Sequence, residues 1–257
     1  MFATVECKDA PGGFTGFVRD IFTLPEITLT RIKIPEGEWF YKVTVTEYRG
    51  QIPVEETAQR LKRLKDSVLF EVNFPCDEST EALEFSPSEF TAQLLFNTAF
   101  EYIRKLKAEP LESSLCVFDP EGYYVNKLEA LVPLFSKIRV YTKSTVLYEK
   151  IARELMENYG IALTVSDSPS GKAPDCTAVI CPGEVPFDNF FGGMLFTDAE
   201  KVPPCSLCIR GYDLDLPGEY ELLRPSGIGR MYFAAALYEK GGVRSLGELC
   251  YKKLRLT

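Results

Sequence analysis

The fold is decided by residues 115–150, which read LCVFDPEGYYVNKLEALVPLFSKIRVYTKSTVLYEK. The stretch opens with Leu115–Phe118, a short uninterrupted apolar run that is typical of a parallel strand buried on both faces. The turn signal Asp119–Gly122 ends that strand, and apolar residues at helical spacing follow it as far as Phe135. Ile138–Thr142 then supplies a second β-prone run. This order predicts a βαβ unit, whose crossover is almost always right-handed.

The alternation of strands and helices continues beyond this unit. Apolar residues recur every four positions from Leu147 to Tyr159, which predicts a helix, and Gly160 ends it. Further strands are predicted at short apolar runs, namely Ile161–Val165, Thr177–Cys181 and Met194–Thr197. The pattern predicts an α/β fold with a Rossmann-like doubly wound parallel sheet in the C-terminal half of the chain.

The N-terminal part of the chain lacks this rhythm. Runs in which apolar and polar residues alternate predict strands at Phe2–Cys7, Ile27–Ile34 and Trp39–Thr46, the last two as an antiparallel hairpin. The capping box Ser86–Glu89 predicts the start of a long helix that braces the two halves. We therefore predict a smaller α+β domain at residues 1–112 and a Rossmann-like α/β domain at residues 113–257.

The last fifty residues predict additions to this core. Leu207–Gly211 and Tyr220–Leu223 are predicted as antiparallel edge strands. The segment Arg224–Arg230 brings backbone N–H groups and two arginines to the start of a helix, so it is a second candidate anion site. A capped tight turn is the alternative interpretation of that segment. The capping box Ser245–Glu248 predicts a closing helix.

Composition and charge exclude several classes of function. The net charge of −8 argues against a nucleic-acid or anionic-membrane partner, since either needs a clustered basic surface. Histidine is absent, so the usual hydrolytic triad is excluded and the commonest zinc ligand is missing. No apolar run approaches the roughly 20 residues that span a bilayer, and no segment resembles a secretion signal. We expect a cytoplasmic protein whose eight cysteines are reduced.

The candidate site lies beyond the carboxyl ends of the predicted parallel strands, where doubly wound sheets bind ligands. The loops there supply the candidate cofactor-binding residues Asp119, Gly122, Tyr123, Asn126, Thr142, Lys143, Ser144, Pro182 and Gly183. Asp119 and Glu121 have two interpretations. They are a carboxylate pair that serves acid–base or metal chemistry, or they belong to a turn and place negative charge at a helix N-terminus. No metal site is predicted, because the pair Cys205 and Cys208 lacks two further ligands at suitable positions. The sequence identifies no catalytic residue.

Residues of about 113–200 resemble the Rossmann-like NAD(P)-binding superfamily and, more loosely, the cofactor domain of shikimate dehydrogenase. The likeness is carried by Cys116–Asn126, Ile138–Ser144, Val179–Gly183 and Leu195–Asp198. It implies a nucleotide cofactor. The chain departs from the family pattern after its first strand, where one glycine replaces G-x-G-x-x-G. Thr142–Ser144 lacks the acidic residue that binds the ribose of NAD, and Lys143 suits a 2′-phosphate, which favours NADP.

Two functions remain open from the sequence. The first is an oxidoreductase-like enzyme that binds NADP or another nucleotide and acts on a small molecule, with residues 1–112 as a substrate lid. The second is a non-catalytic Rossmann-like scaffold that binds a protein partner or a small regulatory ligand, and the glycine-poor first loop favours it. A methyltransferase is a third alternative, weakened because the second strand does not end in an acidic residue.

Overall fold

A computed structural model describes residues 1–9, 26–47, 51–64, 67–106 and 113–257. The described residues form two compact units. Unit 1 contains Met1–Phe90 and Leu216–Leu246, and unit 2 contains Thr91–Asp215 and Gly247–Thr257. The units therefore interleave along the chain, whereas the sequence predicted one division between residues 112 and 113. Residue 112 lies outside the described ranges, and that division into domains stays a prediction.

The strands are, in chain order, β1 (Phe2–Lys8), β2 (Ile27–Lys33), β3 (Trp39–Thr46), β4 (Ser67–Phe70), β5 (Ser114–Phe118), β6 (Lys137–Tyr141), β7 (Ala162–Ser166), β8 (Ala178–Cys181), β9 (Phe191–Thr197), β10 (Cys205–Asp213) and β11 (Lys253–Leu256). The α-helices are α1 (Val54–Leu64), α2 (Glu78–Glu81), α3 (Glu89–Leu106), α4 (Thr145–Tyr159), α5 (Gly218–Glu221) and α6 (Arg230–Glu239). Tighter 3-10 helices cover Val125–Leu131 and Arg244–Glu248.

Unit 1 is built on the smaller sheet, whose described strands follow the order β2-β3-β1-β4. β2 and β3 form the predicted antiparallel hairpin, while β1 runs parallel to both β3 and β4. One face packs against Leu61 of α1. On the other face the rings of Phe2 and Phe40 stack 5.1 Å apart, and Phe233 of α6 meets both edge-on. Helices on both faces thus bury the apolar residues of this sheet.

The first N–H groups of α3 find a partner that the local sequence does not reveal. The carboxylate of Glu239 accepts hydrogen bonds from the N–H groups of Ser88 and Phe90, at 3.0 and 2.9 Å. The Tyr238 hydroxyl donates to Glu89 at 2.9 Å. The end of α6 therefore caps α3 with a carboxylate, the charge that a helix N-terminus favours.

Unit 2 contains the larger sheet, whose described strands follow the order β11-β10-β9-β8-β5-β6-β7. Neighbouring strands from β7 to β10 are parallel, and β11 is antiparallel to β10. Counted from β5, the parallel strands follow the order 3-2-1-4-5-6 of a Rossmann-type doubly wound sheet. The direction of winding reverses between β5 and β8. The predicted α/β fold class is confirmed.

The sequence predictions are wrong near the C-terminus of the sheet. Leu207–Gly211 lies in β10, which is not an edge strand, because it runs parallel to β9 on one side and antiparallel to β11 on the other. Tyr220–Leu223 is not a strand, since Pro217 initiates the short helix α5 there. At Ser245–Glu248 a 3-10 turn replaces the predicted helix, and the chain continues into β11. The open edge of β10 offers β11 a ladder of backbone hydrogen bonds, which outweighs local helix propensity.

The two faces of the larger sheet are covered differently. The helix-covered face carries the side chains of Leu115, Val117, Ile138 and Val140, which pack with residues of α3, α4 and the 3-10 helix at Val125–Leu131. The loop-covered face carries the alternate side chains, among them Cys116, Phe118 and Val179, which pack against Phe187 and other loop residues. The chain therefore winds over both faces, with helices on one and mostly loops on the other.

Candidate functional site

A cavity of about 190 Å³ opens where the parallel strands end and the direction of winding reverses. The last residues of β5 and β6 and the loops after β5, β6, β7 and β8 line it, namely Phe118, Pro120, Tyr141, Thr142, Lys143, Asp167, Pro169, Pro182, Glu184 and Pro186. We call it the carboxyl-edge cavity. It lies at the edge where open α/β sheets bind their ligands.

The walls of the carboxyl-edge cavity are largely apolar. Phe118 and Tyr141 are register partners, so their side chains point to the same face and their rings stack with centroids 4.9 Å apart. Proline residues of the surrounding loops complete the walls, namely Pro120, Pro169, Pro182 and Pro186. Because proline has a fixed φ and little side-chain freedom, these walls lose little entropy when a ligand binds. The cavity suits a flat apolar group.

Charged groups surround this apolar slot. The Lys143 ammonium and the carboxylates of Asp167 and Glu184 belong to exposed side chains that line it. Within the described ranges Lys143 has no ion-pair partner, so its charge is available to an anionic group. The carboxylates can accept hydrogen bonds from hydroxyl or amino groups. Apolar walls with a few orienting polar groups are typical of small-molecule sites.

The loop after β5 is closed by its own Asp119 side chain. The carboxylate is fully buried and accepts hydrogen bonds, 2.8–3.0 Å long, from the backbone N–H groups of Gly122, Tyr123 and Tyr124. The hydroxyl of Tyr148, in α4, also donates to it. In a Rossmann-type sheet the N–H groups after the first strand face the phosphates of the ligand. Here Asp119 itself supplies the anion.

The tyrosines around Asp119 are held as hydrogen-bond donors. Burial, together with the negative charge of Asp119, holds the pKa values of the Tyr148 and Tyr124 hydroxyls well above their usual range. Tyr124 donates to the carbonyl oxygen of Ala92 at 2.9 Å. The Asp119 carboxylate is therefore surrounded by N–H and O–H donors, and it stabilises the loop. The arrangement leaves it no free lone pair facing the carboxyl-edge cavity.

Gly122 fixes the path of this loop. Its φ of 84° lies in the left-handed region that favours glycine. A Cβ atom at this position would lie 3.3 Å from Cβ and Oγ of Ser144. A side chain at position 122 would therefore crowd Ser144 as well as strain the backbone.

The structure brings together only some of the residues predicted as the site. Thr142, Lys143 and Pro182 line the carboxyl-edge cavity. Thr142 is buried, and its Oγ1 accepts the N–H of Ser144 at 3.0 Å, just before α4. Gly183 donates its N–H to Asp198 at 2.6 Å. Their roles in binding stay predictions.

Gly183 lies in a neighbouring cavity of about 400 Å³ at the ends of β8 and β9. Glu184 lines both cavities, so they adjoin along the carboxyl edge of the larger sheet. Asn126, by contrast, lies in a groove between the 3-10 helix and α4, with Glu129 and Asn158. Asn126 therefore does not line the carboxyl-edge cavity.

Asp119 and Glu121 do not share one environment. Asp119 is buried and hydrogen-bonded, whereas Glu121 is exposed. The geometry matches a turn rather than a carboxylate pair. Asp167, Glu184 and the ring pair of Phe118 and Tyr141 were not among the predicted site residues. The signal that finds them is position, because each lies at or just beyond the end of a parallel strand.

The arginines of the segment Arg224–Arg230 contact a carboxylate of the same chain. Arg224 and Arg230 both bind the carboxylate of Glu221, at 2.5 and 3.1 Å. The hydrogen bonds from these arginines lower the pKa of Glu221. One carboxylate thus binds both guanidinium groups, which matches the tight-turn interpretation. Among the described residues no group of three or more candidate side chains could hold a metal ion, and no helix has the length and hydropathy to cross a membrane.

The site fits the pyrophosphate of a nicotinamide dinucleotide poorly. The N–H groups after β5 already donate to Asp119, and a phosphate placed there would meet the like charge of that carboxylate. The carboxyl-edge cavity measures about 190 Å³ and adjoins the cavity of about 400 Å³ at the ends of β8 and β9. Pockets for drug-sized ligands measure about 300–1,000 Å³, so volume does not exclude a dinucleotide, and it is the closed loop that disfavours one.

No family model matches the sequence, and a search of curated proteins finds no match. Three similar solved structures are dehydrogenases or reductases. They are L-tryptophan dehydrogenase from Nostoc punctiforme (11% identity, 77% of this chain and 60% of that chain, TM-score 0.31), Thermococcus litoralis Δ1-pyrroline-2-carboxylate reductase in complex with NADH and L-proline (14%, 68% and 58%, 0.31), and an archaeal alanine dehydrogenase dimer with bound NAD (14%, 66% and 56%, 0.29). This chain spans about three-fifths of the length of each. The fold assignment rests on the strand order of the larger sheet.

Proposed function

We propose that this protein binds a small, ring-containing ligand of the nucleoside class in the carboxyl-edge cavity, as a binding protein rather than as a nicotinamide-dependent enzyme. The observation that supports this proposal is the closed loop after β5. Its N–H groups bond to Asp119, so the position that would hold a dinucleotide pyrophosphate already contains an anion.

The lining of the cavity favours a nucleoside. The aromatic pair and the prolines accept a planar base, and Asp167 places a carboxylate at a strand end, where an acidic residue can bind ribose hydroxyl groups. The Lys143 ammonium can donate hydrogen bonds to a single phosphate on the ribose. The ligand is therefore a nucleoside or its 2′- or 3′-monophosphate.

NADP(H) as the cofactor of an oxidoreductase remains the second candidate, since one observation favours it. Lys143 lines the cavity after β6, where Rossmann-type proteins that use NADP hold the 2′-phosphate. This candidate includes a small-molecule substrate as a prediction. A cytoplasmic location stays a prediction for both candidates. The two candidates differ in whether the nicotinamide half of the ligand adds affinity.

Thermal unfolding with adenosine, 2′-AMP, 3′-AMP, NADP, NADPH and NAD distinguishes them. A ligand at about 100 times its Kd stabilises the folded state by about 2.7 kcal/mol. We expect adenosine and 2′-AMP to raise the Tm, and NADP to raise it no more than 2′-AMP. A larger rise with NADP than with 2′-AMP would favour the oxidoreductase, and no rise with any of these ligands would refute both.

Lys143→Glu tests the position of the ligand. We expect this variant to lose most of the Tm increase with 2′-AMP and to keep most of that with adenosine, because only the former has a phosphate. The matched control is Lys150→Glu, an exposed position on α4 with the same charge change. An equal loss in both variants would contradict the assignment of Lys143 to the site.

A further inference from the structure

The two edges of the larger sheet differ in how they are protected. At one edge β11 carries Lys253 and Arg255, and its register with β10 shifts after Gly211. Charged side chains and irregularities of this kind keep an edge strand from pairing with another chain. At the other edge β7 reads ALTVS, without charge or proline, and its register with β6 is unbroken. Among the described strands β7 pairs with β6 alone, so it presents an open edge.

The register of β7 shows which of its backbone groups point outward. The carbonyl oxygen of Ser166 accepts the N–H of Thr142, just after β6, at 2.9 Å. Alternate residues of a strand in a parallel ladder bond to the same neighbour, so Thr164 also bonds to β6. The N–H and C=O groups of Leu163 and Val165 therefore point away from the sheet.

These outward groups are symmetric about Thr164. A second copy of β7, antiparallel to the first and related to it by a two-fold axis at Thr164, places Leu163 opposite the second Val165. Each such pair exchanges two hydrogen bonds. Thr164 then lies opposite its own copy, which is a favourable cross-strand pair. Its side chain is exposed on the loop-covered face, where it lines, with Arg139, a cavity of about 450 Å³ over β5, β6 and β7. The edge is thus complementary to itself.

Helix α4 packs on β7 and presents a second surface beside the open edge. On its inner side Glu154 and Asn158 line the groove with the 3-10 helix at Val125–Leu131. At about 3.6 residues per turn, Glu149 and Met156 lie on the opposite side of α4, towards the open edge. Both side chains are exposed, Met156 by 51%.

The charges on this side of α4 fit a second copy of the same helix. The salt bridge within α4 joins Lys150 to Glu154, 3.8 Å apart, and in the described part of the chain the exposed Glu149 and Arg153 have no ion-pair partner. A two-fold axis at Thr164 makes the two copies of α4 antiparallel. Glu149 of each copy then comes beside Arg153 of the other.

We propose that β7 and α4 form the interface of a symmetric dimer, in which the larger sheets of two copies join as one continuous sheet. The two-fold axis passes through the pair of Thr164 residues, so the interface is isologous. The partner is a second copy rather than a strand of another protein, because the outward groups of β7 and the charges of α4 both match their own copies.

Sedimentation of the full chain over a range of concentrations tests the dimer. We expect a mass twice the 28.9 kDa of the chain. Thr164→Lys places two ammonium groups opposite each other at the axis and should be monomeric where wild type is dimeric. Thr30→Lys, at an exposed position of β2, is the matched control and should remain dimeric. A monomeric wild type would overturn the proposal and leave the edge to a strand of another protein. A dimer of Thr164→Lys as tight as wild type would place the interface elsewhere and overturn it too.

Deuterium exchange tests the same edge without a substitution. The amide hydrogens of Leu163 and Val165 should be protected at concentrations where the protein is dimeric and should exchange several-fold faster after dilution to the monomer. The amide of Thr164, which bonds within the sheet, should be protected at both concentrations. Equal exchange of Leu163 and Val165 before and after dilution would show that the dimer does not use β7.

Charge reversal tests the contribution of α4. Glu149→Lys should raise the Kd of the dimer several-fold, because it brings two cations together, and adding Arg153→Glu to that variant should restore the wild-type Kd. Glu157→Lys, at an exposed position on the outer side of α4, is the matched control and should leave the Kd unchanged. If the double variant dimerises no better than Glu149→Lys, the assignment of α4 to the interface is wrong.

Discussion

The helix-covered and loop-covered faces of the larger sheet contain alternate residues of the same strands, yet their chemistry differs. On the helix-covered face Ile138 and Val140 are buried in a continuous apolar core. On the other face Arg139 is exposed. The row of side chains that contains Arg139 lines one cavity, and the row that contains Tyr141 lines another. The comparison shows that the helix-covered face is apolar along β6, whereas the loop-covered face combines a buried apolar cluster with exposed polar side chains that line two cavities.

The largest effect is expected for Asp119→Ala, which breaks the closed loop on the helix-covered side. The substitution leaves buried N–H groups and the Tyr148 hydroxyl without their acceptor. We expect a loss of about 3–5 kcal/mol in the free energy of unfolding, measured by urea denaturation. The control is Glu121→Ala, an exposed neighbour, with an expected change within about 0.5 kcal/mol. Similar losses in both variants would show that the loop does not depend on its internal anion.

A smaller but still large difference is expected between neighbouring residues of β6. Ile138→Ala removes a side chain that is 1% exposed, and we expect it to cost about 2–5 kcal/mol. Arg139→Ala, one residue further, should change the free energy of unfolding by no more than about 0.5 kcal/mol. Urea denaturation of both variants tests the division between the faces. A cost for Arg139→Ala as large as that for Ile138→Ala would contradict it.

The smallest effect concerns pH. An unfolded tyrosine ionises near pH 10, whereas the folded protein holds the pKa of Tyr148 far higher, mainly through burial. The stability that this phenol contributes is fully present below pH 10 and is lost as the pH rises through its folded pKa. Between pH 10 and about pH 11, wild type should lose about 1 kcal/mol more than Tyr148→Phe.

Unfolding of these proteins across that pH range supplies the measurement. Tyr212→Phe, at a residue that is 55% exposed in β10, is the control and should follow wild type. Tyr148→Phe is expected to be less stable than wild type at neutral pH, because it lacks the hydrogen bond to Asp119. The test therefore compares slopes against pH. Parallel slopes for Tyr148→Phe and wild type would contradict the role assigned to the buried phenol.

Much of the fold was predictable because its signals are local. The runs at β5 and β6 are apolar, short and bounded by turn residues, so their pairing follows from the pattern alone. The cap of α3 was not predictable, since Phe90 and Glu239 are 149 positions apart in sequence. The parallel pairing of β10 with β9 was not predictable for a similar reason, because the sequence of a strand does not specify which neighbours it joins.

The candidate site divides in the same way. Thr142, Lys143 and Pro182 follow from the rule that loops after parallel strands meet at one edge. The closure of the loop by Asp119 depends on enclosure by Tyr148, 29 positions later, which no local pattern contains. Asp167 lines the cavity from the loop after the third strand of this sheet, whereas the family pattern places an acidic residue after the second.

The closed loop also has a kinetic consequence for the native state. In most Rossmann-type sheets the first loop adapts to its ligand, so its amides open readily to solvent. Here the amide hydrogens of Gly122, Tyr123 and Tyr124 are bonded to a carboxylate that is itself tied to α4. In deuterium exchange these amides should be protected to nearly the same degree as those of β5, with or without ligand. The loop after β5, which exchanges early in most such sheets, should therefore open only together with the strand and helix that it joins.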